Sequence, residues 1–114
     1  MQYALLIYDA EESPAERAAQ TVPAGVAEML GRPSVAGWAR LHAAGSATTL
    51  HHGEGAPLLT DGPFVESKEY IAGLIFIDAD DLDGALAIAE EFQATRSSGA
   101  IEVRPVIEGR FHGA

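Results

Sequence analysis

Two runs in this chain are apolar at nearly every position: Gln2–Tyr8 (QYALLIY) and Tyr70–Asp78 (YIAGLIFID). Runs this short predict strands, and strands apolar on both alternate faces predict a sheet covered on each side. Gly73 inside the second run marks a bulge or a close backbone approach. Asp9–Glu12 is an acidic exit from the first strand. Ser13-Pro14-Ala15-Glu16 then has the form of a capping box, with proline at the first helical position. Thr21-Val22-Pro23 interrupts that helix, and Val26–Leu30 adds a turn or two before Gly31-Arg32-Pro33.

Ser34 as N-cap and Gly45 as stop delimit a helix over Val35–Ala44. Val35, Trp38 and Leu41 with His42 form its apolar face, which assigns Trp38 to the core. Ala47–His52 predicts a strand, Gly53-Glu54-Gly55 a turn and Ala56–Thr60 a returning strand. Asp80 or Asp81 caps the clearest helix, which presents Leu82, Ala85, Leu86, Ala89 and Phe92 on one face. Ile101–Ile107 is the last strand, and Pro105, lacking an N–H, favours an edge or a strand end.

Strand, helix, strands, helix, strand is the ferredoxin-like, split-βαβ pattern of an α+β fold, in which two helices cover one face of an antiparallel sheet. The other face of such a sheet should be polar, yet both long strands are apolar on it. A second copy of the same sheet would bury that face, and two-fold self-association is the commonest arrangement. The expected assembly is a homodimer.

Composition narrows the function classes. A chain of 114 residues makes one domain, 1–114, with a modest core. No apolar run approaches the ~20 residues of a membrane helix, and the apolar start lacks the basic region and cleavage site of a signal peptide. The absence of cysteine excludes disulfides, thiolate chemistry and cysteine-based zinc sites. The expected location is the cytoplasm. A net charge of −10 with only seven Lys and Arg speaks against nucleic-acid binding.

The densest chemistry lies in Leu59–Glu69 (LTDGPFVESKE), an acid, a Gly-Pro turn, an aromatic, a second acid and a lysine between apolar strands. Asp61 beside this turn either acts as a general acid or base in a partly apolar cavity or accepts turn N–H groups. Phe64 reads as core and, on the functional reading, as a wall of the substrate site. Lys68 either binds a substrate carboxylate or pairs with Glu66 or Glu69 at the surface, in a polar corner with Ser67. Alternation along the last strand places Glu102, Arg104 and Val106 on one side. There Arg104 either grips a carboxylate bidentately or bridges to Glu102 or a partner chain. His51 and His52 point to opposite faces of a strand, so no shared metal is expected, and one of them, His51, is a candidate general base. His42 reads as a boundary residue and His112 as part of a mobile tail. Neither a nucleophilic serine turn nor a glycine-rich phosphate loop is present, so no cofactor is expected.

Thr60–Glu69, TDGPFVESKE, closely resembles the signature of the YCII-related proteins of the DGPFAETKE type. MQYALLIY, the ATT of Ala47–Thr49, IDADDLDGALAIA and IEVRPV resemble further landmarks of that family in the same order. Ala10–Ser46 matches poorly and lacks the glycine-rich stretch that commonly precedes the ATT strand. The resemblance implies a dimeric α+β barrel with two ferredoxin-like sheets around a cavity, in a family largely of unknown function. Some of its relatives act on small acids and others occur near extracytoplasmic-function sigma factors. The His–Asp dyad regarded as catalytic in the wider family has no counterpart on the first helix, where this chain reads Arg32-Pro33-Ser34-Val35.

Together these readings lead to a barrel cavity that binds a small anionic molecule, with cofactor-independent isomerase- or lyase-like acid–base chemistry and Asp61 as proton carrier. The alternative is a non-catalytic ligand sensor or regulatory partner linked to sigma-factor-controlled transcription.

Overall fold

The computed structural model describes residues 1–111, so His112 lies outside the described residues. The fold is α+β. In chain order the elements are β1 (Gln2–Ala10), α1 (Pro14–Ala19), α2 (Ala24–Leu30), β2 (Val35–Arg40), β3 (Thr48–His51), β4 (Leu58–Asp61), β5 (Glu69–Asp78), α3 (Leu82–Ala94) and β6 (Ala100–Pro105), with a short 3-10 turn at Ala44–Ser46. Four strands form an antiparallel sheet in the order β2-β5-β1-β6, and β3 and β4 form a separate hairpin.

The two doubly apolar runs become the central strands β5 and β1, each hydrogen-bonded to a neighbour along both edges. On one face Tyr3 pairs with Ile77 and Leu5 with Ile75, and Val103 of β6 stands on the other side of Leu5. The helices press onto this face. Met29 and Leu30 of α2 and Ala85, Ala89 and Phe92 of α3 join Tyr3, Leu5, Ile75 and Ile77 in one buried cluster. Leu82 and Leu86, expected on the buried stripe of α3, stay exposed, while Ala85 between them is fully buried, so the buried stripe runs through Ala85, Ala89 and Phe92. Ala4, Leu6, Tyr8, Leu74 and Phe76 line the opposite face and are half-buried in the protomer, with Phe111 against Phe76 at a ring-centre distance of 4.7 Å.

Local capping follows the sequence. Ser13 Oγ accepts from the Glu16 N–H at 3.1 Å to start α1, and Asp81 Oδ1 accepts from the Gly84 N–H at 2.8 Å to start α3. Pro105 closes the edge strand β6. Beside Gly73 the β1–β5 register shifts between Ile7 and Tyr8, and a Cβ on Gly73 would lie 2.9 Å from the Ala39 carbonyl oxygen. Bulge and close approach therefore occur together there. The shift leaves the Ala72 carbonyl out of the β1–β5 ladder, and it accepts from the Leu41 N–H at 2.9 Å and from Arg17 Nη2 at 2.6 Å.

The expected helix over Val35–Ala44 is a correction. Val35–Arg40 is the edge strand β2, paired to β5 from Val35↔Ile77 to Arg40↔Gly73. Ser34 does not cap a helix; its carbonyl accepts from the Asp78 N–H at 2.8 Å. The apolar spacing of Val35, Trp38 and Leu41 suits a helix, but Gly37 weakens one, and pairing with a fully apolar central strand outweighs local spacing. The helix beside this strand is the preceding α2. Trp38 consequently stands on the sheet edge and is 48% exposed rather than in the core.

Arg32 ties α2 to α3, with Nη1 2.7 Å from Glu91 and Nη2 3.4 Å from Glu28. The Glu91 hydrogen bond, then that of Glu28, holds its guanidinium above the usual arginine range. No helix among the described residues is long and apolar enough to cross a membrane.

Candidate functional site

The loop after β4 is set by backbone geometry. Gly62 has φ +97°, a conformation that L side chains rarely adopt. Its N–H donates to the Ala47 carbonyl at 2.7 Å, and its carbonyl accepts from Thr49 Oγ1 at 2.7 Å. The start of the hairpin thus clamps the Gly62-Pro63 turn, and Phe64 and Val65 follow it, both largely exposed. Thr49→Val keeps the strand shape and removes the hydroxyl bond. It should lower stability by about 1 kcal/mol in urea unfolding and loosen this loop first in amide hydrogen exchange.

Behind the loop lies a cavity of about 630 Å³. Pro63, Phe64 and Val65 form one wall, and Leu41, Ala43, Ala44 and Ala47 another. Tyr8, Tyr70 and Ile71 close it from the rim of the sheet. Polar groups reach it from His42, Ser46, Ser67, Glu69 and the two tyrosines. His42 Nδ1 accepts from the Ala43 N–H at 2.8 Å, with Ser46 Oγ at 3.2 Å. A ring nitrogen that accepts a backbone N–H carries no proton, so neutral His42 is the Nε2–H tautomer. Tyr70 Oη accepts from the Ser67 N–H at 3.3 Å, which ties the start of β5 to the loop.

The residues expected from sequence scatter around this cavity. Phe64 lines it and is 73% exposed, which corrects its reading as core. Asp61 sits exposed at the end of β4 opposite Thr48, and its carboxylate accepts no hydrogen bond among the described residues. The turn N–H of Gly62 goes instead to Ala47. His51 lies outside the lining, with Nε2 2.8 Å from Thr60 Oγ1 and its ring centre 5.4 Å from that of Phe64. Glu66 and Lys68 are exposed and do not line the cavity. Arg104 pairs along its own strand with Glu102, Nε to Oε2 at 2.9 Å, on the open sheet face remote from the loop. Among the described residues no three His, Asp or Glu side chains gather into a metal-sized cluster.

His42 and Glu69 line the cavity although the sequence reads them as a boundary residue and a surface partner for Lys68, and Tyr8 and Tyr70 line it although the sequence offers them only as strand residues. Tyr8 and Tyr70 both fall at strand ends next to the signature loop. That position is the signal that marks them.

An α+β sheet with a small-molecule-sized cavity beside a clamped Gly-Pro loop defines the class, and sequence comparison gives the family. Residues 1–110 match the YCII-related domain, and the chain belongs to that family. It is also 44% identical over 69 residues to the "Uncharacterized protein R00369" of Rhizobium meliloti (strain 1021), over 60% of this chain and 56% of the relative. The match thus spans little more than half the length of that relative.

Proposed function

We propose that the cavity behind the Asp61–Glu69 loop binds a small organic molecule and exchanges a proton with it through His42. The observation that carries this reading is the lining: one imidazole, two phenols and one carboxylate around an apolar pocket of about 630 Å³. Small-molecule sites are typically apolar hollows of this size with a few convergent polar groups. The lining contains no lysine or arginine, so the ligand of this cavity is an apolar body with a hydroxyl or carbonyl group rather than the anion expected from sequence. Cofactor-independent isomerase- or lyase-like chemistry fits this inventory: an imidazole and a phenol lining one cavity can take a proton from a bound molecule and return one to it.

We also propose the assembly expected from sequence, a homodimer of ferredoxin-like sheets whose open faces meet. Its support is the amount of apolar surface left uncovered. Leu50, Leu58 and Leu59 on the hairpin, and Val65 beside it, are each more than 60% exposed, and Leu6, Leu74 and Phe76 lie on the uncovered sheet face. Patches of this kind mark interaction sites.

A thermal-shift panel of small neutral alcohols, ketones and lactones, with carboxylates alongside, tests the cavity. A ligand at ~100 times its dissociation constant adds about 2.7 kcal/mol, on the order of 10 °C in a domain of this size. His42→Asn keeps an acceptor for the Ala43 N–H. It should preserve binding while lowering any turnover of the hit by at least about 100-fold. A panel without a single stabilising compound contradicts the reading.

A further inference from the structure

We propose that the helix-covered side of the sheet carries a second site, which takes a small organic carboxylate through Arg40 and Arg17 with its apolar body against Trp38. The site is a cavity of about 270 Å³ between β2, the α1–α2 link and the end of α3. It is separate from the cavity behind the Gly-Pro loop. Tyr8, which lines the loop cavity, and Asp9, which lines this one, are consecutive on β1, so they point to opposite faces of the sheet.

The charge balance of this cavity favours an anion. The chain has seven Lys and Arg against 17 acidic residues, yet Arg17, Arg40 and Arg96 all line this one cavity, with Asp9 the acid beside them. Arg96 is committed: it is ion-paired to Asp9 at 3.4 Å and donates to the Tyr8 carbonyl at 2.6 Å and the Ala100 carbonyl at 3.2 Å. Arg17 and Arg40 form no ion pair with a carboxylate among the described residues.

Gln20 organises both guanidinium groups, since its Oε1 accepts from Arg17 Nη1 at 3.2 Å and its carbonyl from Arg40 Nη1 at 3.2 Å. Arg17 is further held by the Leu41 carbonyl at 2.9 Å and the bulged Ala72 carbonyl at 2.6 Å. Arg40 makes only the Gln20 bond among the described residues, so most of its five N–H donors remain open to a ligand. A guanidinium held at one corner with its fork free matches a carboxylate bidentately.

Trp38 and Arg40 stand on the same face of β2, opposite Ile75 and Gly73 of β5, and Val22, Val26 and Leu30 complete the wall. A volume of about 270 Å³ lies just below the drug-sized range and suits a short organic acid.

Trp38 is the chain's single tryptophan, so its fluorescence reports directly on this site. The test titrates the wild-type protein with hexanoate, hexanol and hexylammonium at fixed ionic strength. Hexanoate should change Trp38 emission saturably, with an affinity at least tenfold above that of hexanol and no saturable response to hexylammonium. Arg40→Gln should lower hexanoate to the hexanol level and Arg40→Lys should fall between. Arg104→Gln, which removes an equal charge from the opposite face, should leave the titration unchanged. Equal affinities for hexanoate and hexanol on the wild type, or a linear response without saturation, overturns the proposal whatever the variants do. So does an Arg40→Gln protein with native circular dichroism and undiminished hexanoate affinity.

Discussion

Leu5→Ala should destabilise the protein by about 2–5 kcal/mol, a large share of the roughly 5–15 kcal/mol that holds a domain together. Leu5 is fully buried at the centre of the sheet, between Ile75 of β5 and Val103 of β6 and beneath the helices. Removing three carbons there leaves a void that surrounding β-sheet cannot close without breaking ladder bonds. Chemical unfolding should show a lower midpoint with an unchanged slope. Leu6, the next residue, points to the open face and is half-buried. In a monomer Leu6→Ala should cost far less than Leu5→Ala. In the proposed dimer its cost rises with protein concentration, so the pair of variants reads the two faces of the sheet separately.

Gly99→Ala should cost on the order of 3 kcal/mol, although it adds a single methyl group. Gly99 has φ +82°, and a Cβ built there collides with the Tyr8 carbonyl oxygen and lies 2.6 Å from Arg96 Nη2. That carbonyl is the acceptor that fixes Arg96, which braces the end of β1 to the loop before β6. The substitution therefore strains the backbone and pushes apart a charged bond at once. Calorimetry should give a melting temperature lower by roughly 10 °C or more, and hydrogen exchange should quicken first at Tyr8 and Ala100. A melting temperature within a degree of wild type would mean that the loop rearranges freely.

Much of the fold is legible in the sequence because its signals are local. QYALLIY and YIAGLIFID are apolar beyond what a half-exposed strand needs, and they are the central pair. Ser13 and Asp81 cap the helices they precede, and Pro105 ends an edge strand. Val35–Arg40 is different in kind: its partner is β5, some forty residues away, and nothing within the segment encodes that pairing. Reading it as a helix puts Trp38 in the core and His42 on a helix face, whereas the strand leaves Trp38 exposed at the sheet edge and ends before His42. The candidate site suffered for a related reason. The Gly-Pro loop is readable as a focus of chemistry, but of its charged residues Asp61, Glu66 and Lys68 stay off the cavity lining and Glu69 joins it. The groups behind it come from β1, β5 and the segment after β2. Tyr8 reaches the cavity by alternation along β1 with Ala4 and Leu6, but its partner there, Ile71, is set by the register shift between Ile7 and Tyr8, a feature that depends on β1 and β5 already being paired.

The most direct test of the loop-cavity reading is a two-dimensional amide NMR titration with the strongest stabilising compound from the neutral panel. The account predicts shift changes clustered at Ala43, Ala47, Val65, Ser67 and Ile71, saturating together at one dissociation constant and persisting in His42→Asn. Changes clustered instead at Val22, Trp38 and Arg40, or scattered without saturation, would contradict it.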